Sequence, residues 1–164
     1  RIDTLVDRRL DELARAGQSA ARALRGKSAV ACASRAYEIY CEVIASGRWQ
    51  RLQEAGARTQ RLLWASTSTK DPAYSPIKYV EELIAFDTVS TVPPETFEAY
   101  KRLGRPELRL EQGLAEASDV REALEHLGID LEDVAAQLEK EGVRKFIEPF
   151  DGLQAWLEKR RREH

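Results

Sequence analysis

Short apolar runs and amphipathic segments alternate in the middle of the chain. The run RLLWAS (61–66) is apolar and bounded by polar residues, which is typical of a strand buried on both faces of a parallel sheet. Ser75 and Pro76 then predict the start of a helix, and DTVSTV (87–92) predicts a second strand. A helix that begins at proline follows and ends at Gly104. The order strand, helix, strand, helix predicts a right-handed parallel crossover.

The residues on either side of this segment predict helices. Residues 1–17 are expected to begin irregularly and then to form an amphipathic helix that ends at glycine. A second helix is predicted from Lys27 to about Ala45, and a short third one is closed by Gly56. After Pro106 the pattern predicts only helices: residues 115–127, a helix capped by Asp130 and followed by Gly142, and a last helix with Phe146, Phe150, Leu153, Trp156 and Leu157 on its apolar face.

Two parallel strands do not make a domain, because their edges leave unpaired backbone groups and apolar side chains. The pattern therefore predicts an α/β fold, the C-terminal part of a (β/α)₈ barrel, rich in helices with two or three parallel strands. Such a barrel typically needs about 250 residues. The chain has no methionine and starts at Arg1. We therefore expect residues 1–164 to be the C-terminal part of a single barrel domain whose N-terminal strands are absent.

Composition and charge narrow the function classes. The chain is 43% hydrophobic and 33% charged, which is typical of a soluble folded protein. The net charge of -2 gives no reason to expect nucleic acid or an acidic membrane as a partner. No apolar run approaches the roughly 20 residues of a membrane span, and no signal peptide is visible. We expect a cytoplasmic protein.

The cysteines and histidines predict neither a disulfide nor a metal site. Cys32 and Cys41 are nine residues apart on one predicted helix, roughly 900° of rotation and ~13 Å of rise. Their thiols therefore lie too far apart to pair. His126 and His164 are distant in sequence and have no cysteine nearby, so no metal is expected.

The clearest candidate chemistry lies directly after the first predicted strand. Four hydroxyl residues and a lysine follow one another there: Ser66, Thr67, Ser68, Thr69 and Lys70. In (β/α)₈ barrels the loops after the last strands often bind phosphate. Hydroxyls can donate to phosphate oxygens, the lysine supplies a point charge, and the helix near Ser75 adds a positive dipole end. The alternative is that these residues are ordinary turn formers and that Lys70 is solvated.

No complete catalytic set is visible in the pattern. The chain has no nucleophile elbow, no P-loop and no dinucleotide glycine fingerprint. Asp3, Asp71 and Asp87 lie near predicted strand ends, but helix capping explains them equally well. The residues by themselves therefore indicate only part of an α/β barrel with an anion-binding loop.

Longer motifs make the chain similar to a known family. In order they are RIDTLVD, RGKSAVACASRAYEIY, RWQRLQEAGARTQRLLWASTSTKDPAYS, KYVEELI, DTVSTVPPETFEAY and EGVRKFIEPFD. Together they resemble the C-terminal part of transaldolases of the longer bacterial subfamily, related to fusions of transaldolase with phosphoglucose isomerase. Ser68 and Ser90 depart from the glycine and asparagine expected in many relatives. Because glycine tolerates positive φ, Ser68 should slightly restrict the loop.

The resemblance implies a (β/α)₈ transferase of the pentose phosphate pathway. It would move a dihydroxyacetone unit from sedoheptulose 7-phosphate to glyceraldehyde 3-phosphate, giving erythrose 4-phosphate and fructose 6-phosphate. It implies no metal or organic cofactor and a Schiff-base lysine upstream of Arg1, so residues 1–164 alone are expected to be inactive.

The same resemblance places the phosphate end of the site in this chain, with Ser66, Lys70 and, in a less defined role, Arg1 as substrate-binding residues. The implied partners are phosphorylated sugars, without nucleic acid or membrane, and a homo-oligomer is left open. A non-catalytic helical binding module is the alternative function.

Overall fold

The computed structural model describes residues 1–163, and in that range it contains seven α-helices, one 3₁₀ helix and two β-strands. In chain order these are α1 (Ile2–Arg15), the 3₁₀ helix (Ser19–Leu24), α2 (Ser28–Ala45), α3 (Gly47–Glu54), β1 (Leu62–Trp64), α4 (Lys78–Glu82), β2 (Thr88–Ser90), α5 (Pro94–Leu103), α6 (Leu114–His126) and α7 (Leu131–Glu163). The prediction of a helix-rich chain with parallel strands is confirmed.

The two strands form a parallel two-stranded sheet. Leu62 lies opposite Thr88, Leu63 opposite Val89, and Trp64 opposite Ser90. Both strands are shorter than predicted, but polar bonds extend the contact at their carboxyl ends. Thr91 N–H donates to the Trp64 carbonyl at 2.9 Å, and Thr67 Oγ1 donates to the Thr91 carbonyl at 2.6 Å. These bonds hold the two loops that leave the sheet beside each other.

The prediction that β1 is buried on both faces is wrong for Leu63, which is 56% exposed. Its neighbour Trp64 is buried against α2 and the residues around Leu83, and its Nε1 donates to the Leu83 carbonyl at 3.1 Å. Successive strand residues face opposite sides of a sheet. Within residues 1–163, the helices therefore cover one face of this sheet and leave the other in contact with solvent.

Two helix starts differ from the predictions. The first helix begins at Ile2 and has no irregular segment before it. The helix predicted from Ser75 and Pro76 begins at Lys78. Ser75 instead forms a turn, in which its carbonyl accepts from Lys78 N–H at 3.1 Å and its Oγ accepts from Ile77 N–H at 3.4 Å. The turn thereby supplies acceptors for the N–H groups of Ile77 and Lys78, which have no intrahelical partner at the start of a helix.

The main hydrophobic core lies where α1, the 3₁₀ helix, α2, α6 and the first turns of α7 meet. Its buried members are Leu5, Val6, Leu10, Ala21, Ala31, Ala117, Val120, Leu124, Ile129 and Val134. A second cluster joins α2 to the sheet through Tyr37, Tyr40, Trp64, Leu83 and Leu110. Because α2 contributes to both clusters, it links the helical body to the strand ends.

The last helix is a single element, so the predicted break at Gly142 is wrong. α7 runs through Gly142 and Pro149, although Pro149 cannot donate a backbone hydrogen bond. Beyond Leu138 it carries a stripe of exposed apolar side chains, here called the α7 stripe: Val143, Phe146, Ile147, Phe150, Leu153, Trp156 and Leu157, between 52% and 83% exposed. None of the helices in residues 1–163 is both long and apolar enough to cross a membrane.

The α7 stripe predicts that residues 1–164, produced as such, bind a hydrophobic dye or self-associate, because exposed contiguous apolar surface favours both. The double substitution Phe146→Glu and Trp156→Glu should remove most of the dye fluorescence and of the association seen by size-exclusion chromatography. Phe97→Glu on α5, where the side chain is 52% exposed but outside the stripe, is the matched control and should remove little. A dye-free monomer with a sharp cooperative melt would contradict this expectation.

Candidate functional site

Two of the three predicted phosphate-site residues, Arg1 and Lys70, lie around a cavity of about 450 Å³ between α1 and the loop after β1. Arg1 lines it from the start of α1, and Lys70 lines it from the loop. Ser68 is also a lining residue, and its Oγ accepts a hydrogen bond from Lys70 Nζ at 3.1 Å. The structure thus brings Arg1 and Lys70 to one cavity from positions 69 residues apart in sequence.

Ser66 lies at the carboxyl end of β1, exposed, and is not among the residues that line this cavity. Its φ of 60° is in the left-handed region. Ser68 has no positive φ, so the conformational freedom that glycine would add at this position is not used in the structure. The roles of Ser66, Lys70 and Arg1 in binding remain predictions.

The hydroxyl residues of the tract 66–69 have different roles: Thr67 holds the loop in place, and Ser68 faces the cavity. Thr67 is 2% exposed, and its hydroxyl donates to the Thr91 carbonyl. That bond occupies the donor, so Thr67 holds the loop to the end of β2. Ser68, beside Lys70, is the hydroxyl of the tract that faces the cavity.

Two buried carboxylates of α1, Asp3 and Asp7, form the polar wall behind the cavity. They are 3% and 5% exposed and, four residues apart, lie on one face of the helix. Asp3 accepts from the Ala29 N–H at 2.7 Å and from the Tyr79 hydroxyl at 2.6 Å. Ala29 is in the first turn of α2, whose own N-cap residue makes no side-chain cap bond. Asp3 therefore caps α2 from a neighbouring helix.

Asp7 connects the loop after β1 to the turn before α2 through hydrogen bonds. It accepts from the Gly26 N–H at 2.8 Å and from the Tyr74 hydroxyl at 2.6 Å. Burial raises the pKa of Asp7 above its ordinary value, and the two hydrogen bonds act in the opposite direction. Buried carboxylates need such donors, because an unpaired buried charge is strongly destabilising.

Arg25 completes the connection between these segments. Its Nε lies 3.0 Å from Asp11 and its Nη2 lies 3.1 Å from Asp71, while its guanidinium stands 6.0 Å from the centre of the Tyr74 ring. It therefore binds α1 and the cavity loop at the same time.

The charges that face the cavity do not cancel. Each lining aspartate is engaged: Asp3 and Asp7 by tyrosine and backbone donors, Asp11 and Asp71 by Arg25. Four lining cations, by contrast, have no ion pair within residues 1–163: Arg1, Arg8, Arg15 and Lys70. Asp3 and Asp7 keep their negative charge, because their donors are neutral, so the five lining cations exceed the four lining aspartates by one. This small positive excess suits a small anion such as phosphate.

Sequence reasoning missed the tyrosines and the carboxylates of this wall. The suggestion that capping explains Asp3 is correct only in that Asp3 caps α2, a helix that begins 25 residues later. The available signal was the spacing of Asp3 and Asp7, which places two carboxylates on the buried side of an amphipathic helix. Carboxylates there require partners, but the pattern does not indicate which residues supply them.

The cysteines behave as predicted, since Cys32 and Cys41 are both free and partly buried. Within residues 1–163, no group of three or more His, Cys, Asp or Glu side chains is arranged to hold a metal ion. His164 lies outside the described residues.

The buried tyrosines predict a pH-dependent loss of stability. Burial is the main cause, and the hydrogen bond to a carboxylate the second, that raises the pKa of Tyr37, Tyr74 and Tyr79 above the ordinary 10.0. Burial also raises the pKa of Tyr40. An unfolded chain ionises these groups near pH 10, whereas the folded chain keeps them neutral, so stability falls as pH rises above about 10. Phenolate absorbance from these tyrosines should appear together with the loss of helical circular dichroism. Full ionisation in a chain that stays helical would contradict the assignment.

Comparisons with known proteins place the chain in a family. Residues 1–157 match the family model described as transaldolase/fructose-6-phosphate aldolase. The chain is 43% identical to Transaldolase 2 of a Nostoc species, with 96% of the chain and 44% of that protein covered. It is 47% identical to the transaldolase of Renibacterium salmoninarum, with 93% of the chain and 40% of that protein covered.

The transaldolase of Trichodesmium erythraeum is 41% identical, with 97% of the chain and 43% of that protein covered. The chain thus spans less than half the length of these curated relatives. The family fold is the (β/α)₈ barrel, with which the parallel strands and their flanking helices agree. The chain belongs to the transaldolase/fructose-6-phosphate aldolase family.

Proposed function

We propose that this chain supplies the phosphate-binding part of a transaldolase. The reaction would transfer a dihydroxyacetone unit from sedoheptulose 7-phosphate to glyceraldehyde 3-phosphate, as the family relationship suggests. The proposed domain assignment is residues 1–164 as the C-terminal part of one barrel domain. The proposed location is the cytoplasm, and no metal or organic cofactor is needed for this chemistry.

The observation that carries the proposal is the cavity that Arg1 and Lys70 share, whose lining has a small excess of positive charge. A sugar phosphate brings two negative charges or nearly two at neutral pH, and cationic donors bind it through charge-assisted hydrogen bonds. Lys70 and Ser68 approach from the loop and Arg1 from the helix, so a phosphate between them would be contacted from two sides. We propose Lys70 and Arg1 as its charged ligands.

Ser66 has a different proposed relation to the substrate. It is exposed at the carboxyl end of β1, the edge at which (β/α)₈ barrels bind their substrates. We keep Ser66 as a substrate-binding candidate on the strength of the family motif. Ser68 accepts a hydrogen bond from Lys70 and lines the cavity, so it is a further candidate ligand.

The chain's proposed contribution to the chemistry is orientation. In the family mechanism a lysine attacks the ketose carbonyl, water leaves, and the protonated imine withdraws electrons while the carbon–carbon bond breaks. We assign this lysine to a part of the protein outside residues 1–164. Holding the terminal phosphate fixes the far end of the sugar and thereby places its carbonyl, which lowers the entropic cost of the attack.

Lys70→Ala in the full-length protein should raise KM for phosphorylated sugars by about 10- to 100-fold. A hydrogen bond to a charged group is worth roughly 1.5–3 kcal/mol, and each 1.4 kcal/mol is about tenfold in affinity. Borohydride trapping of the imine at saturating substrate should survive, since the attacking lysine is elsewhere. Steady-state kinetics and trapping, measured on the same preparation, check both expectations.

Lys101→Ala is the matched control, because Lys101 is a surface lysine paired with Glu98 on α5, outside the cavity. It should leave KM unchanged. An unchanged KM in Lys70→Ala would show that Lys70 is only solvated, and loss of trapping at saturation would give it a catalytic role that we do not assign.

A further inference from the structure

We propose that Tyr74 and Asp7 are positioning residues, whose mutual hydrogen bond holds the loop of residues 68–71, next to the turn at 71–74, so that Ser68 and Lys70 face Arg1 across the cavity. The inference rests on the proposed function for the identity of the ligand. Its structural basis is independent: a 2.6 Å bond between the Tyr74 hydroxyl and a carboxylate that is 5% exposed.

The segment between Lys70 and Tyr74 is short and internally bonded. Asp71 Oδ1 accepts from the Ala73 N–H at 2.9 Å, and the Asp71 carbonyl accepts from the Tyr74 N–H at 3.1 Å. Pro72, between them, has a fixed φ. These bonds and the fixed φ make residues 71–74 a rigid turn. A displacement of Tyr74 is therefore transmitted to Lys70, the residue before the turn, instead of being absorbed by a flexible loop.

The backbone at Gly26 makes the close approach of Tyr74 to Asp7 feasible. Gly26 has a φ of +71°, and a Cβ at this position would lie 2.8 Å from Tyr74 Cζ and 3.0 Å from its hydroxyl oxygen. Any side chain would therefore push the ring away from the carboxylate. The Gly26 N–H donates to the other oxygen of Asp7, so both oxygens of the carboxylate are bonded.

An ion pair between Arg25 and Asp71 also holds this loop, but it is weaker. Arg25 binds Asp71 at 3.1 Å, but both side chains are about 30% exposed, so solvent screens the pair. The hydrogen bond from Tyr74 to Asp7 is charge-assisted and its acceptor is buried, which makes it the stronger constraint on the loop.

Tyr79 makes a similar bond but has a different effect. Its hydroxyl donates to Asp3 at 2.6 Å from within α4, nine residues beyond Lys70. That bond fixes α4 against α1, whereas the Tyr74 bond fixes the turn that directly follows the loop carrying Ser68 and Lys70. The positioning role is therefore assigned to the Tyr74–Asp7 pair.

The test compares Tyr74→Phe with Tyr37→Phe in the full-length protein. Tyr37 is a matched control, because its hydroxyl also donates to a carboxylate, Glu111, at 2.8 Å, but outside the cavity. We expect both variants to lose thermal stability. Only Tyr74→Phe should raise KM for phosphorylated sugars, by about 5- to 10-fold, with kcat within about twofold of wild type.

A double-mutant cycle tests whether the two residues act through their bond. Asp7→Asn should raise KM by a similar factor, and Tyr74→Phe combined with Asp7→Asn should not multiply the two effects. Should Asp7→Asn fail to fold, the KM split between Tyr74→Phe and Tyr37→Phe decides the question. Multiplicative effects, or a KM in Tyr74→Phe equal to that of Tyr37→Phe, would overturn the proposal.

Binding of inorganic phosphate separates this inference from the proposed function. Titration calorimetry measures the affinity of each variant for inorganic phosphate. Weaker phosphate binding in Tyr74→Phe than in Tyr37→Phe supports the positioning role even if the wild-type protein shows no transaldolase turnover. Normal wild-type turnover with equal phosphate affinity and equal KM in the two variants overturns the positioning role and leaves the proposed function intact.

Discussion

The arrangement of this chain depends on the burial of two carboxylates, Asp3 and Asp7, on the inner face of its first helix. A buried carboxylate is tolerated only when hydrogen-bond donors surround it. Here the donors are two backbone N–H groups at the start of α2 and two tyrosine hydroxyls from the segment after β1. Meeting this one requirement joins α1, α2 and the loop of the sheet.

The same requirement sets the electrostatics of the candidate site. Asp11 and Asp71 share Arg25 as their ion-pair partner, whereas Asp3 and Asp7 keep their charge and are stabilised by neutral tyrosine and backbone donors. Arg1 and Lys70 have no such partner within residues 1–163 and face the cavity with their charge available. The five cations that line the cavity exceed its four aspartates by one, so the lining carries a small excess of positive charge.

The exposed apolar side chains include Leu63 on the open face of the sheet and the α7 stripe. Both consist of residues that the hydrophobic pattern assigns to buried faces. The described residues do not cover them, and the chain spans 40% to 44% of the length of the relatives compared above. Local pattern and observed burial therefore agree in the helical body and disagree at these two surfaces.

The sequence by itself determined the order of the helices and strands as far as α6, the parallel pairing of the strands, the family and the presence of Lys70 near a strand end. These features depend on local periodicity, on glycine and proline positions and on contiguous motifs. Only the tertiary structure decided that Ser68 accompanies Lys70 in the cavity, that Ser66 adopts the left-handed conformation, and that Asp3 and Asp7 are paired with tyrosines. The reason is physical: the partners of these carboxylates lie 19 to 76 residues away in sequence, so packing of distant helices, and not any local pattern, brings them together.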